Sequence, residues 1–301
     1  MSPRESQGSH RTAGSVRAEL GVIGGSGLYD LDGLEDVRET PVATPYGDPS
    51  SVVVSGTLGG RTVAFLARHG RGHRLLPSEV PYRANIHALK SLGVRRILSV
   101  SAVGSLREDY APGDLVVPDQ IVDRTRGVRP ATFLGGGMVA HVPFADPYCP
   151  TLRPVLTAAV RDASAATVHE RGTYCCVEGP RFSSRAESHL FRSWGMDIIG
   201  MTALPEASLA REAQLCYAGL ALVTDYDCWR EDTDESVTAE AVGEVMRRNS
   251  AAAQAAVAEL VKRLPEGDDC ACRHVLETSV LTEGGTGALA ADPATAWLVE
   301  R

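Results

Sequence analysis

Short runs of apolar residues alternate along this chain with longer segments whose apolar positions recur at helical spacing. The run at 216–223 is small or apolar at nearly every position, which is typical of a strand buried on both faces of a parallel sheet. Segment 83–92 instead places Ile86, Leu89 and Leu92 on one helical face, and Gly93 is a typical helix end. Repeated strand-then-helix order predicts an α/β fold, a twisted and mostly parallel sheet with helices on both faces.

The same pattern sets the expected elements and boundaries. Predicted strands cover residues 20–23, 52–54, 63–66, 96–100, 115–117, 173–177, 197–199 and the run that begins at 216. Predicted helices cover residues 83–92, 152–166, 184–194, a segment that Thr202 would cap, and 237–264. We expect a disordered arm at 1–18, a single domain at 19–282, and a loose tail at 283–301 that Trp297 could anchor.

Composition narrows the class of protein. The 301 residues are 44% hydrophobic and 23% charged, which is ordinary for a globular protein. A net charge of −8 without a Lys/Arg cluster argues against nucleic acid as a partner. The first 18 residues lack the apolar core of a signal peptide, and no apolar run is long enough for a membrane span. We therefore predict a cytoplasmic protein with no membrane partner.

Seven cysteines are present, an odd number, and no two of them have the CxxC spacing of zinc or thioredoxin-like sites. The sequence therefore predicts free thiols and no metal site. His69 and His73 are four residues apart, but Gly70 and Gly72 between them make a metal-binding helix improbable.

Four segments suited to an anion follow predicted strands. The glycines around Ser26 would let an anion approach backbone N–H groups, although Gly24–Gly27 is neither a dinucleotide fingerprint nor a P-loop. Arg68, followed by His69, offers a bidentate fork for phosphate. The other two segments are Ser101-Ala102, with hydroxyl and N–H donors, and Met201-Thr202, at a predicted helix N-terminus. Three of them have a plainer explanation: a tight turn at Gly24–Gly27, a surface charge at Arg68 and a helix cap at Thr202.

Two carboxylates, Asp225 and Asp227, follow the buried run that begins at 216. Ligands of open α/β sheets bind at the carboxyl ends of strands, so these acids are candidates for binding and proton transfer. A helix cap or an ion pair is the structural alternative. The Gly-x-Ser-x-Gly motif of serine hydrolases is absent, and the sequence shows no set of a nucleophile with its base. The pattern therefore favours phosphate itself as a substrate.

With these residues in view, the chain resembles the purine nucleoside phosphorylase superfamily, and most of all its methylthioadenosine phosphorylase branch. The likeness covers about residues 20–264 and is carried by GVIGGSGLYD (21–30), ARHGRGH (67–73), SAVGSLRE (101–108), VEGPRFSSRAES (177–188), MTALPEASLAREA (201–213) and TDYDCW (224–229). It implies a mixed sheet with barrel-like closure, a homotrimer, no metal and no cofactor, with a small-molecule nucleoside and inorganic phosphate as the two substrates.

The resemblance also implies roles for single residues. Phosphate would be held by Ser26, Arg68, His69, Ser101, Ala102 and Thr202. The nucleoside would contact Met201 at the ribose, Phe182 and Ser183 beside the base, and His141 near the 5′ end of the sugar, from the same or a neighbouring subunit. Asp225 and Asp227 would read the base and act as the catalytic acids.

Two features favour adenine as the base. The 6-oxopurine branch has Glu where this chain has Ser183, and a carboxylate pair accepts hydrogen bonds from a 6-amino group but not from a 6-oxo group. We expect Asp225 to direct a proton at N7 of the departing purine. The 5′ pocket, expected near Val237, Val242, Gly243 and Leu281, leaves the 5′ group open. The alternatives are other base or 5′ specificities (a 6-oxopurine, a 5′-halo group), a hydrolytic nucleosidase and a nucleoside sensor.

Overall fold

The computed structural model describes residues 17–25, 32–230, 239–267 and 269–300, with backbone only over 239–249. Its strands are β1 (Leu20–Gly24), β2 (Glu35–Thr40), β3 (Val53–Leu58), β4 (Arg61–Ala67), β5 (Arg96–Ser105), β6 (Leu115–Val116), β7 (Gln120–Arg124), β8 (Val168–His169), β9 (Thr173–Val177), β10 (Ile198–Gly200) and β11 (Cys216–Asp225). Its helices are α1 (Tyr82–Ser91), α2 (Leu152–Ala163), α3 (Arg185–Ser193), α4 (Ala203–Glu212), α5 (Ala239–Arg263) and α6 (Thr286–Ala291), with 3-10 turns at Ala271–Glu277 and Ala296–Leu298.

The strands form one mixed sheet in the order β2-β3-β4-β1-β5-β10-β9-β7. β5 is its centre, because β11 pairs with one edge of β5 in parallel along almost its whole length. The other edge pairs first with β1 in parallel and then, at the far end, with β10 in antiparallel. The predicted fold class, a mostly parallel sheet flanked by helices, is confirmed.

Alternate residues of the central strands point into two separate cores. On β11, Ala221 and Val223 pack into one core, and Leu220 and Leu222 into the other. Apolar side chains of α1 and α4 cover the first core, and those of α2 and α5 cover the second. This two-sided burial explains why the run from 216 is apolar at consecutive positions.

The segment after residue 282 packs on the first core. Trp297 makes edge contacts with Tyr46, His87 and Phe133, and Leu298 is fully buried. The Lys90 ammonium donates to the carbonyl of Leu298 at 2.7 Å, and burial lowers the pKa of Lys90 to about 7. Trp297 thus anchors the C-terminal segment, as the sequence suggested it could. The boundaries at 18 and 282 stay predictions.

None of the helices in the part of the chain that the structure describes has both the length and the apolar character of a membrane span.

Candidate active site

A cavity of about 710 Å³ opens where the strands around β5 end. Its wall includes β5 from Val100 to Gly104. Among the described residues, β1 pairs with this edge of β5 only as far as Ser99, and β10 joins only at Gly104. No described strand pairs with the edge between them, where the Val100 carbonyl instead accepts a hydrogen bond from the Arg68 guanidinium. This parting of neighbouring strands is the usual place for a ligand in an α/β sheet.

Most of the predicted site residues line this cavity. They are Arg68, His69, Ser101, Ala102, Phe182, Ser183, Met201, Thr202, Asp225 and Asp227. Ser26 lies outside the described residues, although its neighbour Gly25 is in the wall. His141 is exposed and does not line the cavity of its own chain.

Ser101 and Ala102 lie inside a strand, not after one. The predicted strand ends at Val100, but β5 continues to Ser105 because β11 pairs with it through Gly104. Gly104 has a steric reason to be glycine: a Cβ there would lie 2.9 Å from an oxygen of Asp225. The small residues at this end of β5 therefore make room for the acid on β11.

The Arg68 guanidinium differs from the free fork expected from the sequence. Its Nε and Nη2 donate to the two carboxylate oxygens of Glu206 at 2.7 and 3.0 Å. Nη1 donates to the Val100 carbonyl, and Nη2 also contacts the Ile23 carbonyl and the Ser99 hydroxyl. Arg68 and Glu206 are 2% and 1% exposed. Most of the guanidinium is thus engaged by protein groups, and its positive charge at the cavity wall is paired with a buried carboxylate.

His69 is neutral near pH 7. Burial, together with the charges of Arg68 and His73, lowers its pKa to about 4, despite a raising contribution from the Leu75 carbonyl. Nδ1 lies 2.9 Å from that carbonyl, so Nδ1 carries the proton and Nε2 is left as an acceptor. His73 stacks on the His69 ring at a centroid distance of 4.4 Å.

Thr202 stands before α4 but makes no side-chain cap hydrogen bond, contrary to the predicted cap. The backbone at Leu204 is extended (φ −121°, ψ 140°), so the regular helix starts only at Pro205. The hydroxyl of Thr202 is therefore not spent on capping. The helix N-terminus as an anion site is correspondingly weaker than the sequence suggested.

A buried arginine that the sequence analysis missed holds the turn carrying Met201 and Thr202. Arg129 donates from Nη1 to the carbonyls of Met201 and Leu204, both at 2.7 Å. Its Nε donates to the Glu178 carboxylate at 2.7 Å. Gly179 follows with φ +69°, and a Cβ there would lie 2.5 Å from the Met201 sulfur. No local motif marks Arg129, because its partners are distant in sequence.

The two acids form a linked pair at the end of β11. One oxygen of Asp225 accepts the backbone N–H of Asp227 at 2.8 Å, and the other accepts the Thr224 hydroxyl at 2.6 Å. Asp227 has φ +51°, a conformation more common for Asp than for most residues. Burial raises the pKa of both carboxyls, and the charge of Asp227 adds to the rise at Asp225. Neither side chain forms an ion pair among the described residues.

Phe182 and Ser183 lie in the turn before α3. Ser184 caps that helix with a capping box: its hydroxyl accepts the Glu187 N–H, and the Glu187 carboxylate accepts the Ser184 N–H. Phe182 is 42% exposed at the cavity. The carbonyl of Ser183 accepts the Cys228 thiol at 3.2 Å, which ties this turn to the loop of the acids.

The expected 5′ pocket is only partly visible. Val237 lies outside the described residues, and Val242 and Gly243 lie in α5. Leu281 is 62% exposed and does not line the cavity of its own chain. From α5, Ser250 and Ala253 reach the wall instead.

Comparison with known proteins agrees with this geometry. A family model described as "Phosphorylase superfamily" matches residues 19–262. An S-methyl-5'-thioadenosine phosphorylase from Geobacter sulfurreducens is 53% identical over 264 residues, 88% of this chain and 92% of that protein. Another so named, from Chloroflexus aurantiacus, is 55% identical over 265 residues, 88% of this chain and 91% of that protein.

Solved structures show the same likeness. A methylthioadenosine phosphorylase from an antarctic soil metagenomic library superposes with a TM-score of 0.87 at 47% identity, covering 95% of this chain and 100% of that one. A methylthioadenosine phosphorylase from Schistosoma mansoni in complex with adenine has a TM-score of 0.77 at 41% identity, covering 82% of this chain and 91% of that one.

Proposed function

Because the chain belongs to the phosphorylase superfamily, we propose that it cleaves 5′-deoxy-5′-methylthioadenosine with inorganic phosphate. The products are adenine and 5-methylthioribose 1-phosphate, so the enzyme is a pentosyltransferase. The observation that carries the proposal is the convergence of paired acids and candidate anion donors in one cavity, in a chain that is 53% identical over 264 residues to a protein of that name.

The acids supply the leaving-group chemistry. As the N-glycosidic bond breaks, negative charge builds on the purine and positive charge on the sugar. A carboxyl whose pKa is raised by burial and by a neighbouring acid is suited to hold a proton near neutral pH, and we assign this role to Asp225. Asp227 accepts a hydrogen bond from the 6-amino group of adenine.

Phosphate is held mainly by neutral groups. We assign the donors to the Ser101 and Thr202 hydroxyls and the backbone at Ala102, with Ser26 as a further candidate, and His69 contacts the anion through Nε2 once that nitrogen takes up a proton. Arg68 lines the same cavity and stays a candidate phosphate contact; its bonds to Glu206 and to the Val100 carbonyl also fix the position of this part of the wall. The bound phosphate then attacks C1′ on the face opposite the base and screens the cationic sugar.

Several finer features belong to the same proposal. From the resemblance we infer a homotrimer, in which His141 of a neighbouring subunit reaches the 5′ end of the sugar, since His141 does not line the cavity of its own chain. Met201 contacts the ribose, and Phe182 with Ser183 borders the base. The reaction consists of proton transfer and displacement by phosphate, so we propose that it needs no cofactor. A cytoplasmic location stays a prediction.

One assay tests the function. The purified protein is incubated with methylthioadenosine with and without phosphate, and adenine and the sugar phosphate are quantified by chromatography. We expect both products, and only with phosphate. Adenine released without phosphate would instead indicate a nucleosidase. Cleavage of inosine or of a 5′-halo-5′-deoxyadenosine in preference to methylthioadenosine would overturn the assigned specificity, and binding without turnover would indicate a sensor.

A further inference from the structure

Four cysteines that are distant in sequence converge at one point of the fold. Cys149 precedes α2, Cys216 begins β11, and Cys270 and Cys272 flank the start of the 3-10 turn after α5. All four are buried, and their sulfur atoms all lie within 4.8 Å of one another. This four-cysteine cluster lies at the opposite end of β11 from Asp225, a separation of roughly 30 Å for ten residues at about 3.3 Å each.

The spacing matches one tetrahedral ion. With Zn–S bonds of about 2.3 Å, the sulfurs of a tetrathiolate site lie about 3.8 Å apart. Cys149 and Cys270 have a sulfur–sulfur distance of 3.6 Å. All four are free cysteines, and the 3.6 Å between the Cys149 and Cys270 sulfurs is far longer than a disulfide bond of about 2.05 Å; two disulfides that pair the four sulfurs are the competing arrangement.

Donors around the cluster are suited to negatively charged sulfur. The Leu152 N–H, in the first turn of α2, donates to the Cys149 sulfur at 3.3 Å. The Arg211 guanidinium donates to the Cys272 sulfur at 3.6 Å. The Thr151 hydroxyl lies 3.6 Å from the Cys270 sulfur. Such second-layer donors orient metal ligands and offset their charge.

A route for an ion is also present. A second cavity of about 330 Å³ is lined by Cys216 and Cys270, by Leu152 of α2 and by charged residues that include Arg96 and Asp269. It therefore connects the four-cysteine cluster with the outside of the molecule.

We propose that Cys149, Cys216, Cys270 and Cys272 bind one zinc ion. Binding displaces the thiol protons to solvent, and no electron is transferred. Four protein ligands fill a tetrahedral shell, so no position is open for water and the site is structural. The ion would join three separate segments and fasten the beginning of the C-terminal segment to the start of β11. Because the active-site acids lie at the other end of that strand, the ion takes no part in the reaction.

Metal analysis of the full-length protein tests this. Protein purified under reducing conditions, without a metal-affinity tag, should contain about one zinc per chain by plasma mass spectrometry. Cys149→Ser and Cys272→Ser should each lose most of this zinc and melt at a lower temperature. The control Cys175→Ala removes a buried cysteine that is not part of the cluster, and it should keep the metal.

A second measurement does not depend on the variants folding. Wild-type protein stripped of metal under reducing conditions is titrated with Co²⁺, and one equivalent should give the visible bands of a tetrahedral tetrathiolate, which Zn²⁺ then abolishes. The proposal is overturned if the reduced protein binds neither ion. It is equally overturned if protein isolated without reductant is metal-free and its mass shows cysteines joined as disulfides.

Discussion

Replacing Asp225 by Asn removes the acidic proton but keeps the shape of the side chain. One Asp225 oxygen accepts the Asp227 N–H, and the amide oxygen of Asn can do the same. The other faces the Thr224 hydroxyl, which also lies 3.2 Å from the Val103 carbonyl. In the variant, the amide nitrogen can donate to Thr224, whose own hydrogen then turns to Val103. We therefore expect Asp225→Asn to fold normally and to lose only the acid.

The size of the loss follows from the role. General acid catalysis contributes about 10²–10⁴-fold in rate, or about 3–5 kcal/mol of transition-state stabilisation. We expect kcat to fall by that factor while KM for phosphate changes little, because Asp225 is not among the residues proposed to hold phosphate. In the wild type, kcat should fall as pH rises through the raised pKa of this carboxyl.

The assay is steady-state release of adenine from methylthioadenosine, with unfolding measured in parallel. A methylthioribosyl substrate whose leaving group needs no proton, such as a nitrophenolate, should lose far less activity in the variant. Retention of more than about a tenth of kcat by a folded Asp225→Asn protein would refute the reasoning. An equal loss with both substrates would show that the carboxyl does not act as the acid.

Three further predictions rest on the same geometry. Phosphate beside His69 should raise the pKa of that imidazole from about 4. Phosphate binding should therefore take up more protons in the wild type than in His69→Gln, and the affinity of the wild type for phosphate should fall more steeply with rising pH. Calorimetry in buffers of different ionisation enthalpy measures the proton uptake, and equal uptake by the two proteins would contradict the prediction. Glu206→Gln leaves Arg68 buried without its counter-charge and should lower the free energy of unfolding by about 3–5 kcal/mol in urea titrations, whereas Glu259→Gln in an exposed pair should change it little. Gly104→Ala pushes a methyl group against Asp225 and should reduce kcat with the fold retained; full activity would count against the tight packing.

The sequence predicts an element well where burial requires several consecutive residues to be apolar. The apolar run of β11 and the acids after it were predictable, because a strand buried on both faces has no polar positions to interrupt it. β2 was missed, because nearly all its residues are exposed and it lacks an apolar pattern. The predicted end of β5 at Val100 is too early, because the small and polar residues that follow are typical of a loop although they continue the strand.

Contacts between distant positions were not predictable in the same way. Glu206 lies 138 residues beyond Arg68, so nothing in the sequence indicates that the fold pairs this arginine with a buried carboxylate. The cysteines likewise have no local spacing that marks a site, and only the packing of α2, β11 and the C-terminal segment assembles them. The nucleoside-binding and phosphate-binding assignments were reachable from motifs, and they stay predictions for individual residues.

The pairing of Arg68 with Glu206 affects how the product would leave at the end of a catalytic cycle. A phosphorylase must bind inorganic phosphate and then release the same phosphate group, now esterified to the sugar, from the same few donors. An unopposed cation at that spot would hold the ester as firmly as the incoming anion and so slow turnover. Because Glu206 offsets the charge of Arg68, the esterified phosphate is held less tightly and the product can leave.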